Sequence, residues 1–137
     1  MNIIRSYDVN RPGKEVLHGG VVGGSIKQGV LEVGMPVIIL PGVITKHQDG
    51  KRTYKPVRTK IVSLKAETKE LKYALPGGLI GVELDIDPIL TKRDLLVGNF
   101  LGVEGHLPPC LKEIKIRYEL MRRFITDENT NQKISAI

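Results

Sequence analysis

The stretch GGVVGGSIKQGVLEVG, residues 19–34, decides the fold of this 137-residue chain. Residues 20–27 predict a strand, and the paired glycines around it suit points where a strand bends sharply or two backbones approach too closely for a side chain. Working outward, glycine and proline recur about every ten residues, which leaves little room for long helices. The sequence therefore predicts short strands joined by turns.

Six strands are predicted within the first hundred or so residues, namely 3–9, 20–27, 36–40, 54–65, 78–84 and 97–103. About six short antiparallel strands suit a small closed barrel, which hides the edges of its sheet. The predicted fold class is therefore all-β, a small closed antiparallel β-barrel.

Residues 111–120 predict a further strand, because Ile114, Ile116 and Tyr118 alternate with charged residues. The HLPP sequence at 106–109 interrupts pairing and marks a boundary. We therefore expect a barrel domain over 1–107. Residues 108–137 are expected to be the truncated start of a following domain, consisting of that strand and a flexible tail, because so short a piece rarely folds alone.

Two local features interrupt the predicted strands. Asp49-Gly50, within PGVITKHQDGKRTYKP at 41–56, predicts a protruding hairpin or a long loop. TKRDLL at 91–96 predicts one helical turn capped by Thr91.

Charge is concentrated in one part of the chain. The net charge is +6, and residues 46–72 contain nine basic and three acidic side chains, so the remainder is neutral. Such a segment suits a surface that meets phosphates or an acidic protein, and equally a lysine-rich strand edge that prevents aggregation. The apolar runs are far shorter than the roughly 20 residues of a membrane helix, and no signal peptide is evident, so a soluble cytoplasmic protein without a membrane partner is expected.

The sequence contains few of the motifs that catalysis or metal binding requires. No G-x-x-x-x-G-K-[ST] phosphate loop occurs. A lone cysteine, Cys110, excludes an internal disulfide and a multi-thiolate metal site, and we expect it to be half-buried and structural, rather than a nucleophile paired with His106. Asp85 and Asp87 share a strand face, but a turn-forming role before Pro88 is more common than a metal site.

Five segments carry a resemblance that covers nearly the whole chain in order. RSYDVNRPG (5–13), the opening stretch 19–34, KIVSLKAE (60–67), PGGLIGVELDIDP (76–88) and VGNFLGVEGHLPP (97–109) resemble the second domain of the gamma subunit of eukaryotic and archaeal translation initiation factor 2. LKEIKIRYELMRRF at 111–124 resembles the start of its third domain. The glycine-rich strand followed by G-x-[LIV]-x-x-G is shared with elongation factor Tu.

The resemblance implies a barrel of the elongation factor Tu domain 2 type within a GTPase subunit. That subunit, with its alpha and beta partners, delivers methionyl initiator tRNA to the small ribosomal subunit. The phosphate loop, the D-x-x-G switch and the N-K-x-D guanine reader are missing from this sequence. The chain is therefore expected to be a non-catalytic binding module excised from a longer protein. No cofactor is expected in it, and GTP and magnesium would belong to the GTPase domain (G domain), which together with domain III would be a further partner.

The resemblance also implies two sets of site residues. The loop 5–13 and the glycine turn near 18–24 match the part that faces the tRNA terminus in related factors. In elongation factor Tu the strand matching 61–65 carries a carboxylate near the terminal ribose, where this chain has a serine. The tRNA-end candidates are Arg5, Arg11, Lys14, His18, Gly23, Gly24 and Ser63.

The insertion at 43–55 is the candidate docking site for the alpha subunit, through Lys46, Lys51, Arg52 and Lys55. Three alternatives remain open: a stand-alone ribosomal or RNA-binding barrel, the barrel of another elongation-factor-like GTPase, and a small thiol enzyme that uses Cys110.

Overall fold

The computed structural model describes residues 1–13, 17–111 and 113–119, and consists mainly of strands. In chain order the elements are β1 (Asn2–Tyr7), β2 (Gly20–Ser25), β3 (Leu31–Glu32), β4 (Pro36–Lys46), β5 (Arg52–Ala66), β6 (Lys69–Leu71), β7 (Tyr73–Ala74), β8 (Ile80–Leu84), a 3-10 helix (Pro88–Asp94) and β9 (Phe100–Gly102).

Six of these strands form a closed antiparallel barrel, in the order β4-β9-β1-β2-β8-β5, and β5 pairs with β4 to complete the ring. β6 extends the sheet beyond β5, and β3 pairs with β7 in a separate two-stranded sheet. The predicted barrel is confirmed, and the extra strand on its sheet in the described part of the chain is β6.

Alternation along the strands places one set of side chains inside the barrel and the other set outside. Val22 of β2, Val82 of β8 and Leu64 of β5 are almost fully buried in the core, together with Ile3, Ile39, Ile61, Leu84, Leu96 and Leu101. The intervening residues of β2, β8 and β5 therefore face outward.

The predicted role of the glycines is confirmed at Gly24. A Cβ on Gly24 would overlap the carbonyl oxygen of Asn2 on the neighbouring strand. Only glycine allows β1 and β2 to approach so closely at this point.

The insertion at 43–55 is a hairpin, as Asp49-Gly50 predicts. β4 and β5 continue past the barrel as a two-stranded ribbon with the register Val43–Lys55, Ile44–Tyr54, Thr45–Thr53 and Lys46–Arg52. Gly50 adopts a φ of 78°, and its amide donates to the carbonyl oxygen of His47 at 3.0 Å. β9 pairs only with Ile38, Ile39 and Leu40 of β4, so the ribbon leaves the barrel wall.

The sequence predicted a helical turn over residues 91–96 with Thr91 as its cap, and the structure corrects both its start and its cap. The helix starts at Pro88, and its N-cap is Asp87, which accepts a hydrogen bond from the amide of Ile89 at 2.9 Å. Thr91 lies in the helix just before a kink at Lys92 and Arg93, and its hydroxyl lies 3.0 Å from the carbonyl oxygen of Tyr7 and 2.8 Å from that of Pro88, so it can donate to either. Asp87 is therefore the N-cap of this helix, whereas the sequence predicted a turn-forming role, and Thr91 links the helix to β1.

The strand predicted at 111–120 is not formed by residue 111 or residues 113–119, which have no regular secondary structure. Ile114 and Ile116 are 70% and 68% exposed. An alternating pattern forms a strand only when a neighbour accepts its backbone hydrogen bonds and a core covers its apolar face, and the described residues supply neither. Residues 112 and 120–137 lie outside the described part, so the expected tail and the division at 107 remain predictions.

Candidate functional site

A groove of about 610 Å³ crosses the outer face of the barrel, over β1, β2, β8 and the C-terminal half of β5. Its walls include apolar side chains that are partly exposed, such as Ile4, Tyr7 and Leu79. Its floor contains the outward-facing glycines Gly23 and Gly81, which leave room for a ligand to approach the backbone, and Gly24 also lines it. Its polar members are Arg5, His18, Ser63, Lys65, Glu67 and Glu83.

Glu83 is the polar centre of this groove. Ser63 of β5 and Glu83 of β8 are paired in register and face outward. The Ser63 hydroxyl donates to Oε2 of Glu83 at 2.8 Å, and Nδ1 of His18 lies 3.0 Å from Oε1. The Glu83 side chain is only 16% exposed, so this carboxylate is fixed in place.

The environment keeps Glu83 ionised. Partial burial raises its pKa, but the hydrogen bonds from Ser63, His18 and the amide of Gly19, together with attraction to the His18 imidazole when it is protonated, outweigh that effect and lower the pKa. A negative acceptor that is largely removed from water is suited to binding hydroxyl groups.

His18 is held in position by Asn10 through its backbone. The Asn10 side chain donates to the carbonyl oxygen of His18 at 2.9 Å and accepts from its amide at 2.7 Å. Asn10 also donates to Asp8 at 2.7 Å, and Asp8 forms an ion pair with Lys92. The imidazole therefore reaches Glu83 from a braced loop.

Arg5 stands at the rim of the groove. Its Nε donates to Oδ1 of Asp94 at 3.1 Å, and the same oxygen accepts from the amide of Ser6 at 2.8 Å. These two contacts, the Ser6 amide first, lower the pKa of Asp94. Within the described part of the chain the Nη1 and Nη2 groups of Arg5 make no hydrogen bond, so they can bind an anion.

Five of the seven tRNA-end candidates lie together in this groove: Arg5, His18, Gly23, Gly24 and Ser63. Arg11 is exposed and does not line the groove, and Lys14 lies outside the described residues. Glu83, Asn10 and Asp94 were missed by sequence reasoning. The sequence did contain a signal for Glu83, which is the one charged residue in the otherwise apolar strand IGVEL at 80–84.

The hairpin candidates Lys46, Lys51, Arg52 and Lys55 all lie on the projecting ribbon or its turn, and all are exposed. Lys51 pairs with Asp49 at 3.4 Å, whereas the other three form no ion pair with any described residue. None of these four residues lines the groove. The ribbon and the groove are therefore separate surfaces.

Cys110 is exposed, so the expectation of a half-buried thiol is wrong. Nδ1 of His106 lies 3.3 Å from the carbonyl oxygen of Glu104. Among the residues the structure describes, no group of His, Cys, Asp and Glu side chains could hold a metal ion. The same residues contain no helix long and apolar enough to cross a membrane.

The barrel and its outer groove define a domain of the translation-factor type, and comparisons with known proteins agree. Residues 19–102 match the family model for elongation factor Tu domain 2. The chain is 54% identical over 136 residues to eukaryotic translation initiation factor 2 subunit 3 of Drosophila melanogaster. It therefore belongs to the family of the initiation factor 2 gamma subunit, and corresponds to its β-barrel domain.

The match covers 98% of this chain but 29% of the length of the Drosophila protein. The chain thus spans less than a third of that relative.

Proposed function

We propose that this barrel is a non-catalytic binding module, which holds the aminoacylated end of initiator tRNA in its groove and docks the alpha subunit on its hairpin. It does so as part of a longer cytoplasmic factor that delivers the tRNA to the small ribosomal subunit. GTP and magnesium belong to the GTPase domain of that factor, which together with domain III contacts this barrel. The family relationship and the convergence of five candidate residues in one groove support this proposal.

The groove is suited to the terminal nucleotide of tRNA. Each Glu83 oxygen keeps a lone pair that can accept from a ribose hydroxyl, and Arg5 can donate its Nη groups to a phosphate. The partly exposed side chains of Ile4 and Leu79 offer apolar contact to a base. In elongation factor Tu, a carboxylate near the terminal ribose belongs to the strand that matches the Ser63 strand. In this chain Ser63 has no carboxylate, and its hydroxyl donates to Glu83 on the adjacent strand.

The experiment measures binding of methionyl initiator tRNA, and of uncharged initiator tRNA with and without its terminal adenosine, to the chain and to an Arg5→Gln variant. The parent should bind weakly and with a steep salt dependence, because phosphate contacts dominate. Arg5→Gln should lose about 5-fold to 13-fold in affinity for intact tRNA, because a neutral hydrogen bond replaces a charged one at a cost of about 1–1.5 kcal/mol. It should lose nothing for the shortened tRNA.

Lys27→Gln is the matched control, since Lys27 is exposed and lies outside the groove. Equal losses by Arg5→Gln on both tRNAs would show that Arg5 adds only general positive charge. Salt-insensitive binding selective for methionine would contradict the proposal as well.

For the hairpin, charge reversal of Lys51, Arg52 and Lys55 should weaken association with the alpha subunit more than association with tRNA. The separation of the two surfaces along β5 supports this division. A pull-down of the alpha subunit with and without residues 45–55 is the direct measurement. Equal loss of both ligands would refute the division.

A further inference from the structure

Residues 103–108, which we call the strap, fold back over the outer face of the barrel directly after β9. The amide of His106 donates to the carbonyl oxygen of Val103 at 3.1 Å, and Gly105 between them adopts a φ of 81°, as a type II turn requires. The turn returns Leu107 to β9, where a Cβ on Gly102 would lie 2.8 Å from Cδ2 of Leu107. Gly102 therefore leaves the space that Leu107 occupies.

Ile38 is an apolar residue on the outer face beside the strap. The residues before and after it in β4 belong to the core, so alternation directs Ile38 outward, yet it is only 4% exposed. Its direct neighbours in the register are Gly102 on β9 and Arg58 on β5. Leu107 above Gly102 and the aliphatic stem of Arg58 therefore cover Ile38 from its two sides.

An ion pair fastens the strap to the barrel wall. Nε of Arg58 donates to Oε2 of Glu104 at 3.0 Å, and Nη2 of Arg58 donates to Oε1. Two parallel bonds of this kind fix the orientation of the two groups as well as their distance. The hydrogen bond from Arg58 is also the main reason why the pKa of Glu104 is lowered. The side chains are 67% and 60% exposed, so dissolved salt screens their attraction.

Two prolines, Pro108 and Pro109, connect the strap to the residues that follow. Proline fixes its own φ and restricts the residue before it, so the direction of the chain at Leu107 is passed on to residue 110. No residue of the strap lines the groove. The strap is therefore separate from the site of the proposed tRNA contact.

We propose that the strap is an electrostatic latch, which fixes the direction in which the chain leaves the barrel. In the closed state the pair of Arg58 and Glu104 holds Leu107 over Gly102. When salt screens the pair, or another anion binds Arg58, the strap lifts, Ile38 is exposed, and the chain from residue 108 onward reorients. This latch depends on neither of the proposed ligands.

The test uses a nitroxide spin label on Cys110, which is exposed and is the single cysteine of the chain. The ratio of its mobile to its immobile spectral component gives the ratio of open to closed strap. Hydrogen exchange of the His106 amide measures the same opening without a label. Both are recorded at low and high salt.

Glu104→Gln should raise the ratio of open to closed strap about 2-fold to 5-fold at low salt, the range expected for one exposed ion pair. In the parent the ratio should rise with salt until it matches that of Glu104→Gln, which should itself change little. Leu107→Ala should raise the ratio about 5-fold to 10-fold at low and high salt alike, because it removes half-buried apolar surface.

Reversal of the pair tests its charge directly. Arg58→Glu should open the strap further than Glu104→Gln, because two carboxylates then face each other, and adding Glu104→Arg should restore the ratio of the parent. Glu70→Gln is the matched control, since it removes the similarly exposed pair with Lys65 and should leave the ratio unchanged.

If Glu104→Gln changes neither measurement while Leu107→Ala changes both, packing alone holds the strap and the inference is wrong. A parent that is already fully open at low salt would overturn it as well. So would a reversed pair that stays as open as Arg58→Glu, or a salt response as large in Glu104→Gln as in the parent.

Discussion

Replacing Glu83 by glutamine tests whether the charge at the centre of the groove also stabilises the fold. The side chain of Glu83 is 16% exposed and accepts hydrogen bonds from Ser63 and His18. Glutamine keeps the size of the side chain but removes the charge that strengthens both bonds.

The magnitude follows from those two contacts. A hydrogen bond to a charged group contributes about 1.5–3 kcal/mol, and one between neutral groups about 0.5–1.5 kcal/mol, so two bonds together lose about 2 kcal/mol. The neutral side chain also avoids the cost of partly burying a charge, which reduces the net effect. We therefore expect Glu83→Gln to lower the free energy of unfolding by about 1–2 kcal/mol at pH 7, or roughly 3–8 °C in Tm.

Urea unfolding of the parent and the variant between pH 7 and pH 3 is the assay. The pKa of Glu83 is lowered in the folded state from 4.5. Its contribution is therefore complete above the ordinary carboxyl pKa, and is lost as the pH falls through the lowered pKa. The stability difference between parent and variant should shrink over this acidic range. Asp8, Asp94 and Glu104 also have lowered pKa values, but they are common to both proteins and cancel in the difference.

A variant as stable as the parent at pH 7 would mean that the bonds to Ser63 and His18 do no more than offset burial of the charge. A difference that stays constant from pH 7 to pH 3 would show that its cause is packing and not ionisation. Either result would refute the reasoning.

Two further substitutions test the fold itself. Gly24→Ala should destabilise the barrel by about 1–3 kcal/mol in urea unfolding, because the added Cβ overlaps the carbonyl oxygen of Asn2. Gly23→Ala is its control and should stay within about 0.5 kcal/mol, since its Cβ would lie 3.5 Å from Cβ of Arg5, an ordinary contact; equal effects would disprove the close-approach argument. Asp87→Ala should cost about 1 kcal/mol by loss of the N-cap to Ile89, and an unchanged Tm would show that this cap adds nothing.

The glycine spacing and the Asp49-Gly50 turn allowed the barrel and the hairpin to be predicted from sequence. Both depend on local chemistry: a residue without Cβ where backbones meet, and a turn that reverses the chain. The alternation of apolar and charged residues at 111–119 led to a wrong prediction of a strand. A period of two shows which side chains share a face, but it does not provide a partner strand.

The residues of the groove also fall into two groups, those that the sequence indicated and those that only the structure revealed. The family resemblance carried by the sequence identified Arg5, His18 and the glycines as candidates, and the charge pattern located the positive charge on the hairpin. Only the tertiary structure decided that Glu83 meets Ser63 and His18, which lie 20 and 65 residues away in the chain. Strand order and register bring these groups together, and they depend on the packing of the whole barrel, which no local pattern encodes.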